Sequence, residues 1–247
     1  MRSMQGRAVL VSGGGSGLGR AIALRVARAG AHAVVGDLSG PSAQETVRLV
    51  EETGGSASAV DLDVTDSAAA RRAVLETAER FGPAFDALVN NAGTDQGAGL
   101  LDISDEQWDS VIAVNQSGPL YLTREFLRTV DVTAVRPHPA DVVNVISISA
   151  ITVGADAAAY NSSKAALAML TKVMQREASE YGWPVRIHGL MPSAMNTPMM
   201  EQWNLADDVM MAPDTVASAV EFMLTLPPDT FIQNLVMNSR REPGWPR

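Results

Sequence analysis

The sequence predicts an α/β fold: a doubly wound parallel sheet with helices on both faces, in a single domain over residues 1–247. Three observations predict it. Short apolar runs alternate with amphipathic stretches of helical length along the whole chain, and such alternation builds βαβ units. The first apolar run ends in a glycine-rich turn that opens directly into a helical pattern. No repeat, low-complexity tract or linker divides the chain.

The elements follow in order. Residues 8–12 (AVLVS) read as a buried strand. Over 17–29, Leu18, Ile22, Val26 and Ala29 recur at helical spacing, and Gly30 stops the helix. Residues 33–36 give the second strand. Pro41 opens a helix to about Thr53, broken by Gly54 and Gly55. Residues 57–60 are the third strand, and 67–81 form a helix closed at Gly82-Pro83. Residues 87–89 are the fourth strand. Residues 105–129 read as one long helix, with Ser104 and Gln107 placed as a capping box. A β-branched strand over 141–147, a helix over 157–181 and a strand over 185–190 come next. A helix over 215–226 and a strand over 231–237 complete the pattern. The least regular stretches are 130–140, 191–212 and the tail 239–247.

Composition narrows the function. Hydrophobic residues make up 46% and charged residues 19%, an ordinary globular balance with enough apolar mass for a large core. The formal charge of −9 repels phosphate backbones and anionic lipid, so neither nucleic acid nor membrane is an expected partner. No apolar run approaches the roughly 20 residues of a bilayer span. Residues 1–11 are too short and polar for a secretory leader. The absence of cysteine excludes disulfides, thiolate catalysis and Cys-ligated metals, and it fits a cytoplasmic location. His32, His138 and His188 do not cluster, so no metal site is expected.

The turn after the first strand is Ser12-Gly13-Gly14-Gly15-Ser16-Gly17-Leu18-Gly19. A dinucleotide pyrophosphate needs close backbone approach, free N–H groups and a helix N-terminus. Glycines remove the Cβ atoms that would block that approach. Asp37 closes the second strand, where a carboxylate can accept hydrogen bonds from both ribose hydroxyls and repel a 2′-phosphate. A turn or cap role before Ser39-Gly40-Pro41 is the competing reading.

The glycine spacing is Gly13, Gly17 and Gly19, rather than GxGxxG. At this point the chain resembles the short-chain dehydrogenase/reductase (SDR) family, over about residues 8–200. The resemblance implies a Rossmann-like fold with about seven strands. It implies a cofactor cradle at Gly13, Ser16, Gly17, Leu18 and Gly19. Asp63 and Val64 then meet the adenine, with a helix-start role for Asp63 as the alternative. Asn90-Asn91-Ala92-Gly93 resembles the family's NNAG motif, so Asn91, Ala92 and Gly93 border the adenine ribose. No Arg or Lys occupies Gly14, Gly15, Ser16 or Leu38, where NADP-preferring relatives carry a cation, so NAD is the expected cofactor.

Tyr160 and Lys164 lie four residues apart, on one helical face. A free phenol titrates near ~10, too high for a base at neutral pH, and a nearby ammonium favours the phenolate. Lys164 can supply that charge and also hold the ribose. Ser147 lies 13 residues before Tyr160 and can donate to a substrate oxygen. The resemblance adds Asn115, where the family holds a proton-relay water near the lysine. Singly, these residues read as a surface pair, a strand-end cap and an exposed asparagine. Jointly, Asn115, Ser147, Tyr160 and Lys164 form the family's catalytic tetrad. Ser149 competes with Ser147, since strand alternation places both on one side. The spacing favours Ser147 and leaves Ser149 as a substrate contact.

Met191-Pro192-Ser193-Ala194-Met195-Asn196-Thr197 departs from the family, because Ser193 replaces a glycine. Pro192, Met195 and Thr197 keep the cofactor-facing positions. Beyond them, Met199, Met200, Trp203, Met210 and Met211 suit a mobile apolar lid over 194–212, with a core or subunit contact as the alternative. Met199 and Trp203 are the expected substrate contacts. The tail lacks the family's glycine pair, and Trp245 is expected to pack on a neighbouring subunit or lie in a disordered end.

The expected activity is NAD-dependent hydride transfer between nicotinamide and a secondary alcohol or ketone, probing toward a hydrophobic substrate. A homodimer or homotetramer is expected, paired through the helices over 105–129 and 157–181. The alternative is an NAD-binding sensor or scaffold with little turnover, against which an intact tetrad weighs.

Overall fold

A computed structural model describes residues 1–130 and 138–241 of the chain. Part of the irregular 130–140 stretch, and the end of the tail with Trp245, lie outside the described residues.

Among the described residues, seven strands form one parallel sheet in the order β3-β2-β1-β4-β5-β6-β7. They are β1 (Ala8–Ser12), β2 (His32–Asp37), β3 (Ser56–Asp61), β4 (Phe85–Asn90), β5 (Ala140–Val145), β6 (Val185–Pro192) and β7 (Asn234–Met237). The helices are α1 (Gly17–Arg28), α2 (Gly40–Glu52), α3 (Ser67–Phe81), α4 (Asp105–Ile112), α5 (Gly118–Thr129), α6 (Ala158–Glu180) and α7 (Pro213–Leu224). The predicted Rossmann-like α/β domain is therefore the observed one.

The first strand shows how the sheet is held. Successive side chains point to opposite faces. Val9 and Val11 enter a core with Ile22, Val26, Val216 and Val220, from α1 and α7. Ala8 and Leu10 enter a second core with Val74, Leu122 and Phe126, from α3 and α5. Every residue of β1 is buried, which explains its continuous apolar run. Leu122 and Phe126 are wholly enclosed, and burying each such side chain contributes roughly 1.5–3 kcal/mol.

The long helix expected over 105–129 is not continuous. The capping box at Ser104 and Gln107 forms, but α4 ends at Ile112 and a π turn occupies Ala113–Ser117 before α5. Pro119 supplies a cause: it has no N–H to return to the Asn115 carbonyl four residues earlier. The fifth strand stops at Val145, so Ser147 lies beyond it and begins a short 3-10 turn at Ile148–Ala150. Ser149 sits inside that turn, so strand alternation does not govern its direction. The last strand is shorter than expected because the Ile232 amide donates to His188 Nδ1 at 3.1 Å rather than to the ladder.

A buried ion cluster ties the opposite, amino-terminal ends of the strands together. Asp141, wholly enclosed, accepts from Arg7 Nη2 and Arg186 Nε, each at 2.8 Å. Asp86 accepts from Arg7 Nε at 2.8 Å. Burial pushes the Asp141 carboxyl up, but hydrogen bonds from His188 and Arg186 and the arginine charges overcome it and hold it below its ordinary value. These charges belong to the frame. The carboxyl ends of the strands carry the loops that meet where the chain direction diverges, between β1 and β4.

Candidate active site

One cavity of about 720 Å³ opens at the carboxyl ends of the strands. One end is built by the glycine loop. Gly13 adopts φ +64°, and a Cβ there would meet the Ala92 Cα at 2.8 Å. At Gly19 a Cβ would lie 2.0 Å from the Gly13 carbonyl oxygen. The loop thus folds tightly onto itself and onto the turn after β4. Gly13, Ser16, Gly17 and Leu18 line the cavity, while Gly19 is used in packing and does not reach it. Ser16 caps α1 without a side-chain hydrogen bond, so the first-turn amides have no acceptor from it. That cradle of small residues at a helix N-terminus fits a pyrophosphate.

Asp37 also lines the cavity. Its Oδ2 accepts from the Gly15 amide at 2.8 Å and its Oδ1 from the Ser39 amide at 2.9 Å. The turn role and a place on the cavity wall coexist in this residue. Leu38 beside it is 72% exposed and brings no positive charge. Asp63 and Val64 line the same end. Asp63 Oδ1 accepts from the Thr65 amide and hydroxyl at 2.8 and 2.7 Å, and the cap of α3 is instead Asp66. Asn91 Nδ2 donates to the carbonyls of Ser12 and Gly13 at 3.0 and 3.1 Å, which locks the turn after β4 to the glycine loop. Ala92 and Gly93 line the cavity beside it. Asn90, in the same motif, faces the sheet interior and donates to Thr123 and Asn144 at 2.9 and 2.7 Å.

Ser147, Tyr160 and Lys164 come together at the other end of this cavity. Lys164 Nζ lies 5.6 Å from the Tyr160 ring centroid and donates to the Val145 carbonyl at 3.1 Å. Ser147 Oγ accepts from the Ser149 amide at 3.1 Å, and both serines line the cavity. Asn115 stands behind, wholly buried. Its Oδ1 accepts from the Thr94 amide at 2.9 Å, and its Nδ2 donates to the Thr94 carbonyl at 2.8 Å and Ser163 Oγ at 3.0 Å. Ser163 Oγ in turn donates to the Tyr160 carbonyl at 2.8 Å. Gly93 sits between the two groups: a Cβ there would lie 3.4 Å from Asn115 Oδ1 and 3.6 Å from Lys164 Nζ.

The electrostatics differ from the sequence expectation. Tyr160 keeps an edge toward the cavity, but its enclosing walls push the phenol up to about 12, with hydrogen bonding to Ser147 opposing and the Asp95 charge adding to the rise. Burial lowers the Lys164 amine to about 8, against the opposing charge of Asp95. The lowering of the phenol expected from Lys164 is not among the influences on Tyr160. Desolvation outweighs them all.

The segment 194–212 is closed at its base by a bridge between Met195 and Met211, with Met211 N donating to the Ala194 carbonyl at 2.9 Å. Met199, Met200 and Trp203 line the cavity, as do Pro192, Met195 and Thr197. Met211 is instead buried in the core beside α7. Ser193 is buried. Its Oγ accepts from the Ser239 amide at 3.2 Å, and its amide donates to the Met237 carbonyl at 2.8 Å. The serine that replaces the usual glycine therefore holds the start of the tail. Arg241 there reaches Asp208 at 3.0 Å. Two departures in sequence are one feature in space.

The residue that sequence reasoning missed is Asp95. It lines the cavity and accepts from Trp203 Nε1 at 2.9 Å. Its only sequence signal is its place two residues after Gly93.

The family model described as short chain dehydrogenase matches residues 7–208. A (3R)-3-hydroxyacyl-CoA dehydrogenase of Mus musculus is 34% identical over 200 residues, covering 78% of this chain and 75% of that protein. A 2,5-dichloro-2,5-cyclohexadiene-1,4-diol dehydrogenase of Sphingobium indicum is 33% identical over 207 residues, covering 84% of this chain and 79% of that protein. Among solved structures, a short-chain dehydrogenase/reductase from Burkholderia xenovorans, described there as putative, superposes with TM-score 0.87 at 28% identity, over 97% of each chain.

Proposed function

Since the chain belongs to the short-chain dehydrogenase/reductase family, we propose that it moves a hydride between NAD and a secondary alcohol or ketone, with Tyr160 exchanging the proton. The observation that carries this is the convergence of Ser147, Tyr160 and Lys164 on the cavity whose far end holds the glycine loop and Asp37. The family assignment makes the chain an oxidoreductase. The two relatives named above act, by their names, on a hydroxyacyl-CoA and a diol, both carbinols.

Gly13, Ser16, Gly17 and Leu18 would hold the pyrophosphate, and Asp37 the adenine ribose. Asp63 and Val64 would meet the adenine, and Asn91, Ala92 and Gly93 border its ribose. Pro192, Met195 and Thr197 would meet the nicotinamide end. Asp37, with no cation at Leu38, favours NAD over NADP because a carboxylate repels a 2′-phosphate. A bound nicotinamide supplies the hydride donor or acceptor.

The chain's own residues handle the proton. In ketone reduction, Ser147 Oγ–H donates to the carbonyl oxygen and the Tyr160 hydroxyl transfers its proton to that oxygen as charge develops. A phenol pushed up to about 12 is protonated at neutral pH and is poised as the acid. Lys164 stabilises the phenolate left behind and holds the ribose. In alcohol oxidation the same proton must leave Tyr160 first, and Lys164 is the cation near enough to favour that. The Asn115 carbonyl, to which Pro119 offers no N–H, is the proposed place for a relay water behind Lys164. Ser149, Met199 and Trp203 contact the substrate under the 194–212 lid.

Trp108 on α4, Leu120 on α5 and Met169 and Val173 on α6 are exposed apolar side chains on the helices expected to pair subunits, which supports a homodimer or homotetramer. No described helix is long and apolar enough to cross a membrane. The cysteine-free composition supports a cytoplasmic location. The test is a panel of neutral secondary alcohols and ketones, followed by NADH absorbance. NAD-linked turnover of panel members is expected. NADH binding with no turnover of any member would favour the sensor reading instead.

A further inference from the structure

Three loops, after β4, β5 and β6, meet at the opening of the cavity. Thr94 and Asp95 line it from the first, Thr152 and Val153 from the second, and Met199, Trp203 and Leu205 from the third. The loops are bonded to one another. The Ala98 amide donates to the Asp156 carbonyl at 2.9 Å, which joins the first to the second. Trp203 Nε1 donates to Asp95 Oδ2 at 2.9 Å, and the Gly97 amide donates to Gln202 Oε1 at 3.3 Å, which joins the first to the third. Together they make one rim.

That rim is apolar where it meets the cavity. Val153 lines the cavity and is nevertheless 97% exposed, and Leu205 lines it while 40% exposed. A side chain that both lines a cavity and is bared to solvent stands at its opening. These two extend outward the apolar wall of Met199, Met200 and Trp203. Large apolar side chains left bare beside a ligand cavity offer contact area to an apolar ligand.

The charge of the rim has one sign. No Lys or Arg occurs in residues 81–123, 137–163 or 187–239, the stretches that contain all three loops. Each loop instead carries an exposed acid: Asp102 on the first, Asp156 on the second and Glu201 on the third. A Cβ on Gly99 would lie 3.1 Å from Asp102 Oδ2 and 3.4 Å from Asp156 Oδ1, so those two carboxylates flank one glycine. Arg241, from the tail, is spent on Asp208 at 3.0 Å. Among the described residues, Lys164 is the single cation lining the cavity, and its ammonium is turned to the Val145 carbonyl.

We propose that the rim is a charge filter on the substrate's far end: the chain takes free, neutral alcohols and ketones whose apolar chain or ring system reaches Val153 and Leu205, and Asp102, Asp156 and Glu201 reject those that end in a carboxylate or a phosphate. This rests on the reading that alcohol and ketone chemistry occurs at Tyr160, and it says what stands at the other end of the molecule. An anionic end, whether a free acid or the phosphates of a carrier arm, would meet three carboxylates and no cation. Specificity of this kind comes from repulsion of the wrong ligand as much as from contact with the right one.

The experiment compares kcat/KM for three methyl ketones with the same chain: methyl 10-oxoundecanoate, 10-oxoundecanoate and 10-oxoundecyl phosphate. The proteins are the parent and the triple variant Asp102→Asn, Asp156→Asn, Glu201→Gln; asparagine suits the φ of +59° at Asp156. The quantity read is the ester-to-anion ratio, which cancels any general loss of activity. At about 0.02 M salt the parent ratio should be about tenfold or more for both anions, and it should fall to within about threefold at about 0.5 M, because exposed charges are screened. In the triple variant it should be within about threefold already at low salt. Val153→Asp should lower kcat/KM for the ester more than for 2-butanone, which lacks the long chain. A parent ratio near one at low salt, a ratio indifferent to salt and to the triple variant, or an equal loss on both ketones in Val153→Asp overturns the proposal while leaving the Tyr160 chemistry standing. Absence of turnover with every ketone overturns both.

Discussion

Asn115→Ala should destabilise the fold by about 3 kcal/mol. Asn115 is wholly buried and makes three hydrogen bonds of 2.8–3.0 Å, two with the Thr94 backbone and one with Ser163 Oγ. Truncation orphans the Thr94 amide and carbonyl, each costing roughly 1–3 kcal/mol when buried. Thr94 is only partly enclosed, so water recovers a share and the lower half of the summed range applies. Ser163 loses a donor but keeps its own bond to the Tyr160 carbonyl. For a 247-residue chain, 1 kcal/mol moves Tm by about 2–4 °C, which puts the shift at about 9 °C. Asn115→Asp is the sharper companion. It keeps an acceptor for the Thr94 amide but turns a second, charged oxygen toward the Thr94 carbonyl, so it should be no milder than alanine. Differential scanning calorimetry of the three proteins reads this directly. A Tm within about 2 °C of the parent for Asn115→Ala would refute the reasoning, since the network would then be carrying no load.

Two further predictions concern the cofactor end and its pH response. Asp37→Ala should weaken NADH binding by about tenfold while weakening NADPH binding less or improving it, because the ribose acceptor and the repulsion of a 2′-phosphate go together; fluorescence titration with both cofactors reads the two constants. NADH affinity should be flat below the Lys164 value of about 8 and fall as pH rises above it. The sign follows from linkage: the protonated amine is the form that holds the ribose, so binding raises its pKa, and the gain is full below the free value and lost above it. In Lys164→Met the same titration should be weak and flat across that range.

Much of the fold could be read from the chain because its signals are local. The apolar run of β1 and the helical spacing of Leu18, Ile22 and Val26 survive intact in the structure. Two failures were local, and two came where distant contacts override local pattern. The π turn at Ala113–Ser117 reads as plain helix, although Pro119 was a visible warning. The last helix ends at Leu224, two residues earlier than expected, just before Pro227 and Pro228. In the site, four residues scattered over Asn115 to Lys164 were singled out through motif order, and the structure brings Ser147, Tyr160 and Lys164 to the cavity with Asn115 buried behind them. Asp95 was not, because nothing local distinguishes it from an ordinary loop aspartate. Its partners Gln202 and Trp203 lie more than a hundred residues away. Ser193 shows the same limit: its partner Ser239 is invisible from the motif it interrupts.

Tyr160 carries the proposed proton transfer. The direct measurement is steady-state turnover of Tyr160→Phe on the best panel substrate, together with its NADH dissociation constant by fluorescence. The phenyl ring keeps the packing against Lys164 and removes only the hydroxyl. Turnover should fall by about three orders of magnitude or more, within reach of a lost proton donor and its transition-state hydrogen bond, while the dissociation constant stays within about threefold of the parent. Turnover within about tenfold of the parent, with NADH still bound, would contradict the assignment of the proton to Tyr160.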